Sequence, residues 1–200
     1  MCSSDLIIKM NNSKNSKTVL LVMDIQKTMM GYLPDPEPLL AKIEKAIVSA
    51  RKAGITVVYV TLAFREGHPE IHPAHARFGA IKESKVMFTH SHEGTSVHEA
   101  IEPLPTDIIV HKKRVSAFAG SDLEIILRAH KAESLVLSGF STAGVVLSTL
   151  REAADRDYHM AVLSDACADL EQEVHDFLVK KVFPFSGEVL TTEEWITTLN

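Results

Sequence analysis

Short apolar runs recur along this chain, separated by longer amphipathic stretches. Each run is too short for an ordinary helix, and polar residues rarely interrupt it. Strands of this kind are buried on both faces, as in a parallel sheet covered by helices. Six strands are therefore predicted, at residues 18–24, 55–64, 107–112, 135–139, 159–164 and 188–190.

Helical spacing of apolar residues occupies the intervals between these strands. After the Pro-rich stretch 34–38, residues Leu39 to Ala53 keep this spacing, and Gly54 supplies a stop. Ser121-Asp-Leu-Glu124 has the form of a capping box, which predicts another helix start. The alternation predicts an α/β fold, namely a three-layer α/β/α, Rossmann-like domain built on a parallel sheet.

Residues 65–105 break this alternation. They contain four prolines and six of the ten histidines. A long irregular insertion of this kind is typical of a lid or an oligomer contact. Its cluster His68-Pro-Glu-Ile-His-Pro-Ala-His75 suggests metal binding, but the prolines prevent the helix that would bring the imidazoles together. We expect no metal and no other cofactor.

Length, charge and cysteine content narrow the possible classes. We expect one domain at 17–200, preceded by a disordered polar segment at 1–16. A formal charge of −5 without a basic stripe argues against a nucleic-acid partner. No apolar stretch is long enough to cross a bilayer, and Cys2 and Cys167 give no disulfide framework. We therefore expect a cytoplasmic protein without a membrane partner.

Candidate chemistry lies where the predicted strands end, because parallel sheets bind ligands at their carboxyl edge. Four residues stand there: Asp24, Phe64, Lys112 and Phe140. For Asp24, a turn-capping role and a catalytic role are equally consistent with the sequence. An inward-turned Lys112 would need an acidic partner, and Asp24 is the natural one. Burial would raise the pKa of Asp24 and an ion pair would lower it, and the residues leave that balance open.

Nucleophile signals are weaker. Gly139-Phe-Ser-Thr-Ala-Gly144 misses the Gly-x-Ser-x-Gly spacing by one residue, so Ser141 or Thr142 is better explained as a helix N-cap. Cys167 has no obvious base beside it and is better explained as a buried structural cysteine. Covalent catalysis through Cys167 or a serine is kept as an alternative.

Four segments in order resemble the isochorismatase-like, or cysteine hydrolase, superfamily over about residues 18–195. They are Val22-Met-Asp-Ile-Gln26, Lys112-Lys-Arg-Val-Ser-Ala-Phe-Ala-Gly-Ser-Asp-Leu123, Leu137-Ser-Gly-Phe-Ser-Thr142 and Ser164-Asp-Ala166. The resemblance implies a six-stranded parallel sheet of order 3-2-1-4-5-6 and a homodimer or homotetramer. It also implies a cis peptide between Phe140 and Ser141. The metal motif of the nicotinamidase branch, Asp-x-His-x-x-His, is not found.

The family's catalytic set is an Asp, a Lys and a Cys. Asp24 and Lys112 match the first two, and the cysteine position falls on Val145. Valine has no nucleophile, so the resemblance argues against amidase chemistry here. It favours a cofactor-independent hydrolase of a small carboxylate or ether-type substrate, as in true isochorismatases, which lack the cysteine.

In this hypothesis Asp24 is the general acid or base, and Lys112 orients it. Substrate-binding residues would fix the Asp loop, wall the pocket or bind developing negative charge through their N–H groups. They are Gln26, Phe64, Phe118, Phe140, Ser141, Thr142 and Gly144. A substrate with carboxylates would also need cations, for which Arg65 and Arg114 are candidates. The alternative is a catalytically silent member that binds a small molecule or serves as a scaffold.

Overall fold

A computed structural model describes residues 17–199 as a single parallel sheet covered on both faces by helices. The strand order is β3-β2-β1-β4-β5-β6, as the resemblance implies, and every neighbouring pair is parallel. The strands are β1 Thr18–Met23, β2 Thr56–Leu62, β3 Ile108–Lys112, β4 Ser134–Phe140, β5 His159–Ala168 and β6 Glu188–Leu190. The expected α/β/α fold is therefore confirmed. The segment 1–16, for which we expect disorder, lies outside the described residues, as does Cys2.

Seven α-helices connect or follow the strands in the described part of the chain. They are α1 Lys27–Met30, α2 Glu37–Lys52, α3 Gly79–Ser84, α4 Leu123–Ala129, α5 Leu147–Ala154, α6 Gln172–Phe177 and α7 Thr192–Thr197. A π-helical turn, Thr142–Val146, leads into α5, and another, Leu178–Val182, extends α6. Short 3-10 turns lie at Glu93–Thr95, Glu99–Ile101 and Phe183–Phe185.

Alternate residues of the buried strands face two separate cores. In β1, Leu21 and Met23 pack with α4 and α5, whereas Leu20 and Val22 pack with α2 and α7. All six residues of β1 are buried, which is the pattern expected of a central strand covered on both sides. This two-sided burial explains why the strands are apolar throughout rather than alternating.

The strand registers bring the carboxyl ends of β1, β2, β3 and β4 to one level. Met23 pairs with Gly139 of β4, and Leu62 of β2 pairs with Lys112 of β3. Over these ends the irregular segment 65–105 contributes Ile71, Phe78 and Phe88 to a third core, which also contains Leu62 and Phe64 from the end of β2 and the residues after it. It is attached to the sheet end by single bridges from Gln26 to Val97 and from Phe64 to Thr89. The insertion is therefore a packed cover rather than a free loop.

One helix start differs from the sequence expectation. Helix α4 begins at Leu123, and the side chain of its N-cap residue, Asp122, makes no capping hydrogen bond. The Ser121 hydroxyl instead donates to the carbonyl of Ala117 and accepts the N–H of Leu123. The capping box predicted at Ser121-Asp-Leu-Glu124 is therefore wrong. A true capping box opens α7, where Thr191 and Glu194 cap each other.

Among residues 17–199, no helix combines the length and apolar character needed to span a membrane. The longest is α2, with 16 residues.

Gly139 is a position where the fold leaves no room for a side chain. Its φ is +149°, and a Cβ there would overlap the carbonyl of Met23 on the neighbouring strand. We expect Gly139→Ala to lower the free energy of unfolding by about 3 kcal/mol or more, because backbone strain and steric overlap add. Chemical denaturation measures this. Gly54→Ala is the matched control, since Gly54 also has a positive φ, +73°, but nothing within 4 Å of its Cβ position. A loss at Gly139 no larger than at Gly54 would contradict the overlap.

Candidate active site

A cavity of about 260 Å³ opens between the carboxyl ends of the strands and the cover formed by 65–105. Five of its lining residues are polar or charged: Asp24, Arg77, Lys112, Ser141 and Asp169. The rest of the wall is apolar, apart from the hydroxyl of Tyr32, and includes Phe140 and Val145. The cavity therefore lies at the sheet edge where the sequence predicts the chemistry.

Asp24 directly follows β1 and is held rigidly. Its φ is +57°, and its N–H donates to the carbonyl of Val60 at 2.8 Å. The side chain is only 6% exposed. Its Oδ2 lies 2.9 Å from the Lys112 ammonium, whereas its Oδ1 is buried without a hydrogen-bond partner in the described residues. One carboxyl oxygen is thus committed to the protein and the other is not.

Lys112 reaches Asp24 across the end of an intervening strand. Adjacent strands lie about 5 Å apart, so β3 is roughly 10 Å from β1. The lysine side chain, the aspartate side chain and the 2.9 Å contact between them bridge this distance together. Besides Asp24, its Nζ donates to the carbonyls of Arg114 at 3.0 Å and Val115 at 3.1 Å. An ammonium group has three donors, and all three are used here. The lysine side chain is 2% exposed, so its charge is compensated by the protein rather than by water.

Burial raises the pKa of Asp24 above its ordinary value of 3.8. The positive charges of Lys112 and, more weakly, Arg77 oppose this shift, but the loss of hydration is the larger effect. Of the two opposing effects on the pKa of Asp24, burial is therefore the stronger. The carboxyl group holds its proton more readily than an exposed aspartate does.

The helix start beside Asp24 presents apolar surface and few free donors. The Phe140–Ser141 peptide is cis, as the resemblance implies, and Val145 is 2% exposed. The N–H of Ala143 donates to Asp169 Oδ2 at 2.7 Å, and that of Gly144 to the carbonyl of Ser141 at 3.1 Å. The expectation that N–H groups between Ser141 and Val145 bind negative charge therefore fails for these two.

Gly144 contributes by having no side chain. A Cβ there would lie 2.6 Å from Ser141 Oγ and 3.1 Å from Arg77 Nη2. The guanidinium of Arg77, on the exposed surface of the insertion, thereby reaches over the helix start at the cavity wall. Arg77 is a functional candidate that the sequence reasoning missed.

The arginines proposed from sequence are engaged elsewhere. Arg65 pairs with Glu70 at 2.9 Å. Arg114 donates to the carbonyls of Lys113 and Glu70. Neither lines the cavity.

Of the seven predicted substrate-binding residues, Phe140 and Ser141 line the cavity, and the other five do not. Gln26 is fully buried and bonds both the N–H and the carbonyl of Leu62, and also the carbonyl of Thr95. It fixes the Asp loop to the insertion, as we expect, but does not face the cavity. Phe64 lies one layer behind the wall, edge-on to Phe78. The buried Thr142 bonds His175 at 2.8 Å.

Phe118, predicted to wall the pocket, does not line the cavity. It stacks on Tyr158, with ring centroids 6.3 Å apart, and Arg156 covers its ring. Tyr158 directly precedes β5, so this cluster lies towards the amino end of the sheet, away from the cavity. Its nearness to Lys112 in sequence was misleading.

The histidines of the insertion mainly stabilise turns. The Nδ1 atoms of His72, His75, His92 and His98 each accept the N–H two residues further on. Within 17–199, no group of three or more His, Cys, Asp or Glu side chains is arranged to hold a metal ion.

Comparison with known proteins agrees with this geometry. The model of the Isochorismatase domain matches residues 18–194, nearly the whole described chain. The chain belongs to the isochorismatase family. The resemblance drawn from the four sequence segments is thus confirmed, and the protein is an isochorismatase-family hydrolase.

Relatives within the family include named amidohydrolases. Ureidoacrylate amidohydrolase RutB of Stutzerimonas stutzeri is 32% identical over 174 residues, covering 76% of this chain and 70% of that protein. A cysteine hydrolase from Pseudomonas syringae pv. phaseolicola has the same fold, with a TM-score of 0.86, 24% identity and coverage of 92% and 93%. N-carbamoylsarcosine amidase from Thermoplasma acidophilum also has this fold, with a TM-score of 0.73 and 25% identity. The match covers 89% of this chain and 98% of that protein.

Cys167 is a poor nucleophile in this isochorismatase-family protein. It is buried, and burial raises the pKa of its thiol to about 12. Its Sγ lies 3.9 Å from the carbonyl of Leu137. The thiolate is the reactive form, so very little of it exists near neutral pH.

We therefore expect iodoacetamide at pH 8 to leave Cys167 unmodified in the native protein and to alkylate it after denaturation. Peptide mapping by mass spectrometry measures this, with Cys2→Ser used so that one thiol remains. Rapid native alkylation would reopen covalent catalysis through Cys167.

Proposed function

We propose that this chain hydrolyses a small carboxylate-bearing ether by acid catalysis, without a covalent enzyme intermediate. The observation that carries the proposal is the buried Asp24–Lys112 pair, joined at 2.9 Å in the wall of a cavity that contains no thiol among its described lining residues.

Asp24 supplies the proton. For a vinyl ether, the carboxyl proton of Asp24 goes to the distal vinyl carbon, and the oxygen-bearing carbon becomes an oxocarbenium ion. Water adds to this carbon, its proton returns to the Asp24 carboxylate, and the hemiketal collapses to a ketone and an alcohol. The raised pKa of Asp24 favours the protonated form that this step needs.

The two cations have different roles in this proposal. Lys112 holds Asp24 Oδ2 and leaves Oδ1 for proton transfer. Arg77 lines the same cavity and carries a guanidinium that can pair with a substrate carboxylate in two parallel hydrogen bonds. A negative substrate is thereby placed beside Asp24 without displacing Lys112.

Val145 separates this proposal from the activities that the relatives' names state. Amide cleavage through a thioester needs a nucleophile, and the family's cysteine position falls on this valine. Val145 lines the cavity with Asp24 and Lys112, so a nucleophile at that position would face the substrate. A catalytically silent binder is the second candidate, and the same apolar residue favours it.

The decisive variant is Asp24→Asn, tested on a panel of carboxylate-bearing vinyl ethers. We expect turnover to fall roughly 10²- to 10⁴-fold, the usual contribution of a positioned general acid. In the wild type, kcat/KM should decline as pH rises through the raised pKa of Asp24, above 3.8, because the proton donor is lost. Coupled product assays across pH measure both.

Asp155→Asn is the matched control, since Asp155 is exposed and lies outside the cavity. It should keep full turnover and the same pH profile. Unchanged turnover in Asp24→Asn would refute the mechanism, and absence of turnover in the wild type across the panel would favour the silent binder.

Val145→Cys should place a reactive thiol in the cavity. We expect iodoacetamide to alkylate it in the native state at least about tenfold faster than Cys167, because the new thiol faces the ligand space and is close to cationic groups. Val146→Cys is the control, since Val146 is fully buried and does not line the cavity. Hydrolysis of 3-ureidoacrylate by the wild type at the rate of a vinyl ether would contradict the role given to Val145.

A further inference from the structure

The cavity that holds the ion pair is walled mainly by hydrocarbon. Ten of its sixteen lining residues are apolar. Phe78, Ile81 and Met87 belong to the cover, and Met29 and Leu170 also line the cavity. Charge is confined to Asp24, Lys112, Arg77 and Asp169. A ligand here exchanges water for apolar contacts over most of its surface.

Many of the hydrogen-bonding groups in this wall are already paired within the protein. All three N–H donors of Lys112 are engaged. Asp169 accepts the N–H groups of Ala143 and Leu170 with its two oxygens. The side-chain groups that remain for a ligand are one oxygen of Asp24, the hydroxyls of Ser141 and Tyr32, and the guanidinium of Arg77. If Arg77 binds a carboxylate and Asp24 faces the reacting centre, only the two hydroxyls remain for a ureido group, which has three N–H donors and a carbonyl.

We infer that this cavity selects an apolar, ring-sized monocarboxylate over the ureido and carbamoyl compounds that its relatives' names indicate. The inference rests on the proposed function, since it names the substrate class of the same site. A buried amide group without a partner weakens binding by about tenfold, whereas apolar substrate surface gains contact with the wall.

Size and the shape of the mouth agree with this class. A volume of about 260 Å³ holds roughly nine water-sized groups at about 30 Å³ each, enough for one ring and its carboxylate. The mouth carries two exposed apolar side chains, Tyr32 at 51% and Leu170 at 64%. Asp169 fixes the backbone of Leu170 at this rim, so the apolar surface continues outwards from the cavity.

Isothermal titration of the wild-type protein with two probes tests the inference. Benzoate and 3-ureidopropionate are both monoanions with equal numbers of non-hydrogen atoms, but only the second carries a urea group. We expect benzoate to bind at least about tenfold more tightly. Equal affinities, tighter binding of 3-ureidopropionate, or no detectable binding of benzoate would overturn the inference.

Two variants of one wall residue assign the selectivity to the cavity. Met87→Gln replaces the thioether by an amide of similar length, and Met87→Leu keeps an apolar side chain. The glutamine variant should bind benzoate about fivefold more weakly than the wild type, because its amide replaces apolar wall surface. The affinity difference between benzoate and 3-ureidopropionate should therefore become smaller. The leucine variant should keep the wild-type preference. Thermal unfolding of both variants verifies that they are folded, and a glutamine variant with unchanged selectivity would contradict the assignment.

These binding measurements do not depend on turnover. If the wild type prefers benzoate but Asp24→Asn leaves vinyl ether hydrolysis unchanged, the proposed mechanism fails and the ligand class stands. If Asp24→Asn abolishes hydrolysis but benzoate has no advantage, the mechanism stands and the ligand class fails.

Discussion

A buried carboxylate and a buried ammonium, on strands that do not touch each other, impose the strongest constraint on this molecule. Either charge alone would be costly inside a protein, so each depends on the other being in place. Asp24 and Lys112 meet only if β1, β2 and β3 keep their register, because the lysine passes over the end of β2. The fold and the candidate site therefore rest on the same alignment of strand ends.

The same pair explains why the insertion is needed. Open strand ends would leave Asp24 and Lys112 in water, where an aspartate has an ordinary pKa and an ion pair has little effect. The third core, built around Phe64, Phe78 and Phe88, covers this edge and removes the solvent. Gln26 ties the cover to the loop that carries Asp24, through Leu62 and Thr95. The insertion thus raises the pKa of Asp24 because it covers the site and excludes water from it.

Sequence was sufficient where structure is set by local patterns and by topology. Apolar runs identified the six strands, and the rule for parallel sheets placed Asp24 and Lys112 at one edge. Sequence patterns did not predict residues whose position at the site depends on three-dimensional packing. Arg77 lies in an insertion without periodicity, so nothing in the pattern marks it as facing the cavity.

Errors on the regular elements have similar causes. Phe118 follows Lys112 closely in sequence, but the chain turns back before it and buries the ring near Tyr158. Ser-x-x-Glu at 121–124 and Thr-x-x-Glu at 191–194 are equivalent patterns, and only the second forms the box, because Ser121 accepts the N–H of Leu123 and not that of Glu124. In both cases a contact that the sequence pattern does not encode decided the outcome.

Val145 agrees with the proposed chemistry in two ways: it has no nucleophile, and its side chain is apolar. A proton donor must hold its proton at the working pH, and a carboxyl group does so when its surroundings are apolar. In the wall beside Asp24, Val145 adds hydrocarbon and no polar group that could solvate the carboxylate. A valine at this position therefore offers no nucleophile and keeps the apolar surroundings that the proposed proton donor requires. The proposed acid catalysis by Asp24 and the inferred apolar ligand both depend on this apolar wall.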